Sequence, residues 1–180
     1  MIQDISPYTF RIEYHNIRPE GEDLLLPFCR GKLLLRGEEP IAFLKVKDWR
    51  AEAAEHMIYL FAIDNMRFFY LKIQEEEAAP YIDAGCSFAA RRQFRNLAPK
   101  HFAFAGVTAS MLDGWYSSNR YCGNCGHKLV QDTKERMLRC PDCDQRVYPR
   151  INPAVIVAVT KGDQLLLTTY KGREYKIMLW

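Results

Sequence analysis

The chain has 180 residues, of which 48% are hydrophobic and 26% charged, and its formal net charge is +3. These values are typical of a globular protein with one or two domains, and no run approaches the roughly 18 apolar residues that a membrane helix needs. The N-terminal residues lack the apolar stretch of a secretion signal, so we expect a cytoplasmic protein with no membrane association. The isolated Cys29 and Cys86 fit this compartment as reduced, buried thiols.

The first eighty residues predict mostly strands. Phe10, Ile12 and Tyr14 alternate with charged residues, which is the pattern of a half-buried strand. Further strands are predicted at residues 33–35, 41–46, 56–63 and 66–73. The last two flank Asp64-Asn65, a two-residue hairpin signal, and the glutamate-rich segment 74–80 predicts a loop or a helix start. We expect a small antiparallel meander with an acidic exterior.

Residues 85–119 show a helical pattern. We predict a short helix that begins at Ser87 and a second that runs from Pro99 to about Ser118. The first helix carries Arg91, Arg92 and Arg95. These arginines form either a solvated face or a phosphate-contacting patch. In the second helix, apolar residues at three- and four-residue intervals predict a core-facing stripe of Phe104, Val107, Met111, Leu112 and Trp115.

Four of the six cysteines lie in residues 121–150, as two C-x2-C pairs separated by fourteen residues. They are Cys122, Cys125, Cys140 and Cys143. Zn²⁺ favours four soft ligands in a tetrahedron, and a two-residue spacer lets both thiolates of a tight turn reach one ion. We therefore predict a structural zinc ribbon, with two disulfides or four free thiols as the alternatives. A shell of four thiolates is closed, so this metal is not expected to activate water.

Four other residues of this region are candidates for a role beside the metal. His127 lies two residues after a cysteine, and with four thiolates available we interpret it as a neighbouring or surface residue. Glu135 lies between the cysteine pairs, where a solvated charge is the simplest interpretation. Tyr148 and Arg150 follow the second pair, where an aromatic ring can pack or stack on a planar ligand.

The C-terminal thirty residues predict three strands, at 154–160, 164–170 and 175–180. Three strands cannot bury their apolar faces without more sheet or a helix. We therefore expect the chain to begin a further domain that it does not finish. No Ser/His/Asp signature, H-E-x-x-H motif or P-loop is present, so the residues alone identify no active site.

Three motifs around the cysteines resemble a known family. They are N-R-Y-C-G-N-C-G at Asn119–Gly126, C-P-D-C at Cys140–Cys143, and V-Y-P-R-I-N-P-A-V-I at Val147–Ile156. With them the chain resembles the NADH pyrophosphatases, the NudC-type Nudix hydrolases, over residues 100–180 and more loosely over residues 1–99. The third motif is more discriminating than the cysteine spacing, which many zinc ribbons share.

The resemblance implies an α+β protein in three parts. These are an N-terminal, antiparallel β-rich, Nudix-like domain with two helices at 1–118, a four-cysteine zinc ribbon at 119–150, and the first strands of an incomplete Nudix α/β domain at 151–180. It implies a homodimer that hydrolyses the pyrophosphate bond of NADH or NAD⁺ to a nicotinamide mononucleotide and AMP, and some members remove an NAD cap from RNA. In such enzymes Mg²⁺ or Mn²⁺ is held by glutamates of the Nudix box.

The sequence departs from the family at the catalytic box, G-x5-E-x7-R-E-U-x-E-E-x-G-U, where U is apolar. None of the ten glycines has a glutamate six positions later. We therefore assign no catalytic residue, and we expect a chain truncated before the box and inactive by itself. The resemblance implies three substrate-contacting positions in this sequence, Glu135, Tyr148 and Arg92.

A different class of function is a non-catalytic zinc-ribbon module that binds nucleic acid or a partner protein. Residues 85–120 hold five bases and one acid, a balance of +4, whereas residues 1–84 have a balance of −5. The segment 121–150 has a charge of +2, which four thiolates and one Zn²⁺ bring to zero. Because the loaded ribbon is not a basic footprint, the hydrolase hypothesis is preferred.

Overall fold

The structure is a computed structural model that describes residues 2–37, 40–150 and 152–167. The chain forms two units, Met1–Pro149 and Arg150–Trp180. The larger unit is α+β, as expected, and contains both the N-terminal sheet and the cysteine-rich segment. The strand expected at 175–180 lies outside the described residues, as does the end of the strand expected at 164–170.

The elements of the larger unit begin with the strands β1 (Phe10–Arg11), β2 (Leu24–Cys29), β3 (Lys32–Arg36), β4 (Leu44–Lys45), β5 (Ile58–Ile63), β6 (Met66–Lys72) and β7 (Cys86–Ala90). Helix α1 (Glu75–Asp83) lies between β6 and β7, and α2 (Lys100–Ser118) follows them. Short 3-10 helices occur at Val46–Asp48, Ala51–His56 and Arg91–Asn96. The cysteine-rich segment adds β8 (Val130–Gln131), β9 (Leu138–Arg139) and β10 (Arg146–Val147).

The N-terminal strands form one sheet in the order β1-β5-β6-β2-β3-β7, with β4 also paired to β2. Every described pair is antiparallel except β2 with β6, which is parallel. The α+β class is therefore confirmed. The simple meander is wrong, because β2 is inserted between β6 and β3 and the chain must cross over to place it there.

Strand β2 is the element that the sequence pattern does not reveal. Its run LLLPFC is buried at five of six positions, so the polar–apolar alternation of a half-buried strand is missing. Pro27 also argues against a central strand, because it has no N–H for the ladder. It is tolerated since β4 pairs with Leu24 and Leu25 and β3 pairs with Phe28 and Cys29, which leaves the proline between two ladders.

The helix expected from Ser87 is wrong. Residues 86–90 instead form β7, which pairs with the free edge of β3, and only the following 3-10 helix carries the three arginines. Local helix propensity is weak, and it is overridden where an open strand edge can hydrogen-bond the same backbone groups. The strand expected at 41–46 is likewise reduced to β4. The other predicted strands at 33–35, 56–63 and 66–73 are confirmed, and segment 74–80 begins α1.

The sheet carries an apolar core on each face. Helix α2 covers one core, which contains Phe28, Phe61, Phe68, Phe94, Ala105 and Ala109. Helix α1 and the 3-10 helix Ala51–His56 cover the other, which contains Leu25, Trp49, Ala53, Phe69 and Ala78. A third, smaller cluster lies at the C-terminal end of α2 and joins it to the cysteine-rich segment. The cysteine-rich segment therefore packs on a helix that the sheet already holds.

Helix α2 has the predicted bounds, but its buried face differs from the predicted stripe because it contains the small residues Ala103, Ala105, Gly106, Ala109 and Ser110. Leu112 and Trp115 are buried as expected, whereas Met111 is 58% exposed. At Gly106 the helix backbone lies directly against the ring of the fully buried Phe94, with no room for a Cβ. Small residues let the helix backbone approach the aromatic core. The spacing of large apolar residues does not predict such a face.

Gly106→Ala is expected to lower the free energy of unfolding by about 2 kcal/mol, because overpacking a tight core costs this much. A Cβ at this position would lie 2.3 Å from Cε1 of Phe94, whose buried ring cannot move without displacing its neighbours. Gly114→Ala is the matched control in the same helix, where a Cβ meets nothing within 4 Å. It should raise stability by roughly 0.5–1 kcal/mol through helix propensity alone.

Urea unfolding of the two variants measures this difference. Equal stabilities for Gly106→Ala and Gly114→Ala would contradict the close packing of α2 on Phe94.

The smaller unit contains β11 (Thr160–Lys161) paired with β12 (Gln164–Leu165). The strand expected at 154–160 is wrong over its described residues, apart from Thr160. A β-branched run forms a strand only with a neighbour to pair with, and Val155 and Ile156 are 85% and 87% exposed. Within the described ranges, no helix has both the length and the hydropathy needed to cross a membrane.

Candidate metal centre and the adjoining Glu135–Tyr148 pair

The two C-x2-C segments fold into turns with the same backbone hydrogen bonds. In the first, the N–H of Cys122 donates to the carbonyl of His127 at 2.7 Å, and the N–H of Gly126 donates back to Cys122 at 2.9 Å. In the second, Cys140 donates to Gln145 at 2.9 Å and Asp144 donates back to Cys140 at 3.2 Å. These repeated turns direct the thiols of each pair to the same side.

The fourth residue after the first cysteine of each turn has a left-handed backbone. It is Gly126 at φ +80° in one turn and Asp144 at φ +59° in the other. Glycine adopts this conformation without strain, and aspartate tolerates it better than most residues. The turn chemistry of the two halves therefore explains why both fold in the same way.

The four thiols converge. Their Sγ atoms all lie within 4.8 Å of one another. Cys122 and Cys143 are 3.5 Å apart at Sγ, and Cys125 and Cys140 are 3.3 Å apart. Zn–S bonds of about 2.3 Å in a tetrahedron require Sγ–Sγ separations of about 3.8 Å, so small adjustments admit one Zn²⁺. The donor set and its geometry fit a structural zinc site and do not form disulfides.

Hydrogen bonds to sulfur stabilise the thiolate of Cys143, whereas at Cys125 the hydrogen bond from the backbone of His127 is outweighed by desolvation and by the other three cysteines, which raise the pKa of Cys125 to about 12. The backbone N–H of Asn124 donates to Sγ of Cys122 at 3.4 Å. A side-chain hydrogen bond with Asn124, followed by a backbone one with Gln145, lowers the pKa of Cys143 to about 6. Because zinc binds the thiolate, donors that stabilise this form favour loading of the site.

His127 lies at the surface beside the site, as the sequence predicts. Its Nδ1 is 3.5 Å from Oδ2 of Asp142, and both side chains are more than half exposed. The pair joins the first turn to the second across the outside of the thiol cluster. His127 can reach a ligand position only in a second grouping, with Cys125 and Asp142, that excludes the other three thiols.

A small apolar core supports the thiols from the other side. Trp115 from α2 packs with Leu129 and Leu138 and with the buried Cys122 and Cys140. Leu138 lies in β9 of the three-stranded sheet β10-β9-β8, and Leu129 directly precedes β8, with its N–H donating to the carbonyl of Arg120 at 3.0 Å. This cluster is too small to stabilise thirty residues alone, which is the usual reason for a structural metal.

The loop between the turns presents Glu135. We call residues 132–137 the ribbon loop. The Asp132 carboxylate accepts hydrogen bonds from the N–H groups of Lys134, at 2.7 Å, and Glu135, at 3.0 Å, and these bonds lower the pKa of Asp132. The N–H of Met137 closes the loop by donating to the carbonyl of Glu135 at 2.8 Å. The loop is therefore held by its own hydrogen bonds, and the Glu135 side chain is exposed.

Glu135 and Tyr148 contact each other. Oη of Tyr148 donates to Oε2 of Glu135 at 2.7 Å, and this hydrogen bond raises the pKa of Tyr148. Tyr148 is 46% exposed, so its ring and the carboxylate face solvent together. Two residues that the resemblance singled out separately are thus one polar pair on the surface of the cysteine-rich segment.

Arg92 lies at the other edge of the sheet. Its 3-10 helix follows the edge strand β7, whereas the ribbon loop contacts β5 near the opposite edge. Four strand spacings separate β5 from β7, which is about 19 Å along the sheet. The structure therefore brings Glu135 and Tyr148 together and does not bring Arg92 to them.

Arg136 joins the ribbon loop to the N-terminal sheet and is a functional candidate that no sequence motif indicates. Its Nη2 donates to the carbonyl oxygens of Ile12, at 3.2 Å, and Leu60. Its guanidinium lies 5.8 Å from the centre of the Tyr14 ring. In the sequence it is one of several charges in a hairpin, and no local pattern separates it from its neighbours.

Comparison with known proteins agrees with the site. Residues 117–148 match the family described as the NADH pyrophosphatase zinc ribbon domain. The NAD-capped RNA hydrolase NudC of Pseudomonas fluorescens (strain Pf0-1) is 35% identical over 106 residues, which cover 58% of this chain and 37% of the relative. The protein of the same name from Pseudomonas putida (strain W619) is 36% identical over 116 residues, covering 63% of this chain and 39% of the relative.

A third relative matches over a shorter length at higher identity. NudC of Pseudomonas aeruginosa (strain LESB58) is 46% identical over 59 residues, or 33% of this chain and 21% of the relative. The chain thus spans less than two fifths of the length of these curated relatives.

The fold and the site define a four-thiol zinc ribbon packed on an α+β sheet domain. Residues 117–148 are thus similar to the zinc ribbon of the NADH pyrophosphatase family, and the chain is similar to NudC-type hydrolases over 106 to 116 residues.

Proposed function

We propose that this chain takes part in hydrolysis of the pyrophosphate bond of NADH or NAD⁺, or of an NAD cap on RNA, and that its own share is to bind the substrate. The products are a nicotinamide mononucleotide and AMP. The observation that carries the proposal is the exposed Glu135–Tyr148 pair, held at 2.7 Å on a ribbon of this family. The name of the relatives, NAD-capped RNA hydrolase, supports the substrate class.

The chemistry of the pair suits a dinucleotide. A carboxylate accepts hydrogen bonds from ribose hydroxyls and from exocyclic amino groups, and Glu135 keeps Oε1 available beside the oxygen bonded to Tyr148. A half-exposed tyrosine ring offers a face on which a planar base stacks. The pair has no group that activates water, and the thiol-bound zinc is coordinatively closed, so its role is binding and not catalysis.

The remaining parts of the proposal concern the whole enzyme. Mg²⁺ or Mn²⁺ would be the catalytic cation, held by a Nudix box that the 180 residues do not contain. A homodimer, and Arg92 as a third substrate contact, are proposed from the resemblance. The division into 1–118, 119–150 and 151–180 remains a prediction. A reducing compartment, the cytoplasm, is proposed because all six cysteines are free thiols.

The test is NADH binding by the zinc-loaded 180-residue chain, followed by the fluorescence of the dihydronicotinamide. Tyr148→Ala should weaken binding about tenfold, since stacking on an aromatic side chain contributes roughly 1–3 kcal/mol. Tyr148→Phe, which keeps the ring, should lose less. Tyr121→Ala is the matched control, because Tyr121 is an exposed tyrosine of the same region that makes no hydrogen bond to Glu135.

Two results would count against this proposal. Either NADH fails to bind to the wild-type chain at millimolar concentration, or Tyr148→Ala binds as tightly as Tyr121→Ala. With Mg²⁺ or Mn²⁺ added, we expect no hydrolysis by the chain alone, because the Nudix box is absent from it.

The second candidate function is a binding module for nucleic acid. It is favoured by Arg91, Arg92 and Arg95, which are exposed on one 3-10 helix and form no ion pair within the described ranges. Binding of single-stranded RNA without an NAD cap, falling steeply between 50 and 200 mM salt, would favour it over the dinucleotide site.

A further inference from the structure

The ribbon loop is held at both ends by the N-terminal domain. Oη of Tyr14 donates to the carbonyl of Asp132, at 3.1 Å, where the loop begins. Nε2 of Gln131 donates in turn to Oη of Tyr14 at 2.7 Å. The Arg136 guanidinium binds the domain where the loop ends. Glu135 lies between these attachments and next to the second of them.

The two carbonyls that accept hydrogen bonds from Arg136 lie where the strand pairing of the sheet is interrupted or ends. Strands β5 and β6 shift register between Tyr59 and Phe61, so Leu60 is the bulged residue and its carbonyl is available. Strand β1 ends at Arg11, and the next carbonyl, of Ile12, is the other acceptor. The strand expected at 10–14 is thus shorter than predicted, and Arg136 donates to the first carbonyl after its end.

Burying the guanidinium of Arg136 in this environment costs folding free energy. Burial lowers the pKa of its guanidinium, and the neighbouring charged or titratable side chains are tyrosines: Tyr14, Tyr59 and Tyr116. No carboxylate pairs with Arg136 within the described ranges, and its Nη1 is buried without a hydrogen-bond partner. A cation buried in this way is stabilised by two carbonyls and the Tyr14 ring, without a carboxylate among the residues that the structure describes. An apolar side chain would fill the space with less cost, so simple packing does not account for the arginine.

We propose that Arg136 and Tyr14 are positioning residues, through which the N-terminal domain sets the Glu135 carboxylate against Tyr148 for substrate binding. This inference rests on the proposed function, since it concerns the same pair. It assigns the N-terminal sheet a role in substrate recognition that acts through the ribbon loop. The loop's own hydrogen bonds fix its shape, and these two side chains fix its place on the domain.

The test is a double-mutant cycle on NADH affinity. Arg136→Met should weaken NADH binding roughly tenfold in the wild-type chain, since a hydrogen bond to a charged group has about this effect. The same substitution should change the affinity less than twofold in the Glu135→Gln background, because Arg136 acts through Glu135. A merely structural contact would weaken both backgrounds equally. Arg50→Met is the matched control, since Arg50 pairs with Glu77 and with no residue of the ribbon loop.

Two further measurements keep the test decisive. Zinc content must stay at one ion per chain, and hydrogen exchange at the N–H groups of Lys134 and Glu135 should quicken in Arg136→Met. If Arg136→Met loses zinc, Tyr14→Phe removes only the hydroxyl that holds the start of the loop and should show the same coupling to Glu135→Gln.

The outcomes separate the two proposals. Equal losses in both backgrounds, or wild-type affinity in Tyr14→Phe and Arg136→Met, would overturn the positioning role and leave the dinucleotide site standing. Failure of the wild-type chain to bind NADH would overturn the proposed function itself, and the positioning role with it.

Discussion

Cys140→Ser is expected to release the zinc and unfold residues 119–149, while the sheet domain stays folded. Cys140 is the most buried of the four thiols, 1% exposed, and its Sγ faces Cys125 at 3.3 Å. Apparent zinc affinity in such sites corresponds to about 10–16 kcal/mol, and that free energy is also folding free energy. The apolar cluster of Trp115, Leu129 and Leu138 is too small to replace it.

The N-terminal domain should survive this loss because its two cores are separate from the ribbon cluster. Those cores contain the fully buried Phe28, Phe61, Phe68, Phe69 and Phe94. Limited proteolysis should therefore cut the variant within 119–149 and leave a stable fragment of about a hundred residues. Metal analysis should fall from one zinc per chain to less than a tenth of that value.

Cys86→Ser is the matched control for this prediction. It makes the same chemical change at another buried cysteine, 5% exposed, that packs in the sheet core and not with the thiol cluster. This variant should keep one zinc per chain and resist cleavage within 119–149. An unchanged zinc content in Cys140→Ser would refute the four-thiol site.

The metal centre was predictable from the sequence because its signals are local. Each C-x2-C turn has its hydrogen bonds within six residues, and the left-handed position falls on Gly126 or Asp144. The Glu135–Tyr148 pair is also nearly local. Strand β10 pairs with β9 so that Val147 faces Leu138, which brings the next residue, Tyr148, close to the ribbon loop. The spacing around the second cysteine pair therefore predicts that Glu135 and Tyr148 lie near each other, but it does not predict the hydrogen bond between them.

The strand order and the contacts of Arg136 could not be predicted, because they depend on residues far away in the chain. Strand β7 forms because the edge of β3 is open, more than fifty residues earlier, and β2 becomes parallel to β6 across more than forty residues. Arg136 meets Leu60 at a separation of 76 residues. Single-sequence patterns describe which face of an element is apolar, and they do not specify which edge or carbonyl that element will meet.

Asp113→Ala is expected to lower the free energy of unfolding by about 3 kcal/mol. Oδ1 of this carboxylate, on α2, accepts hydrogen bonds from Oη of Tyr70 at 2.9 Å and Nζ of Lys72 at 2.8 Å. Asp113 is 2% exposed and Tyr70 is 4% exposed. Removing the acceptor leaves the buried hydroxyl unpaired, which costs about 1–3 kcal/mol, and adds a small cavity at the helix–sheet contact.

Tyr70 donates its hydroxyl proton to Asp113, so the free energy of unfolding depends on keeping an acceptor at position 113. Burial, with the neighbouring Asp113 charge as the second cause, raises the pKa of Tyr70, so its hydroxyl stays protonated and must donate. Lys72 is 43% exposed and can turn to water when its partner is lost, which Tyr70 cannot do. Most of the loss should therefore come from Tyr70, and screening limits the contribution of Lys72.

Further variants separate the contribution of Tyr70 from that of Lys72. Asp113→Asn keeps a side-chain oxygen as acceptor and should lose only about 1 kcal/mol, and Lys72→Met should lose less than that. In the Tyr70→Phe background, where no hydroxyl is left unpaired, Asp113→Ala should cost about 1 kcal/mol less than in the wild type. Urea unfolding followed by circular dichroism measures all five variants, which include Tyr70→Phe alone and its combination with Asp113→Ala. A loss in Lys72→Met equal to that in Asp113→Ala would mean that α2 is held to β6 by the ion pair and not by the buried hydroxyl.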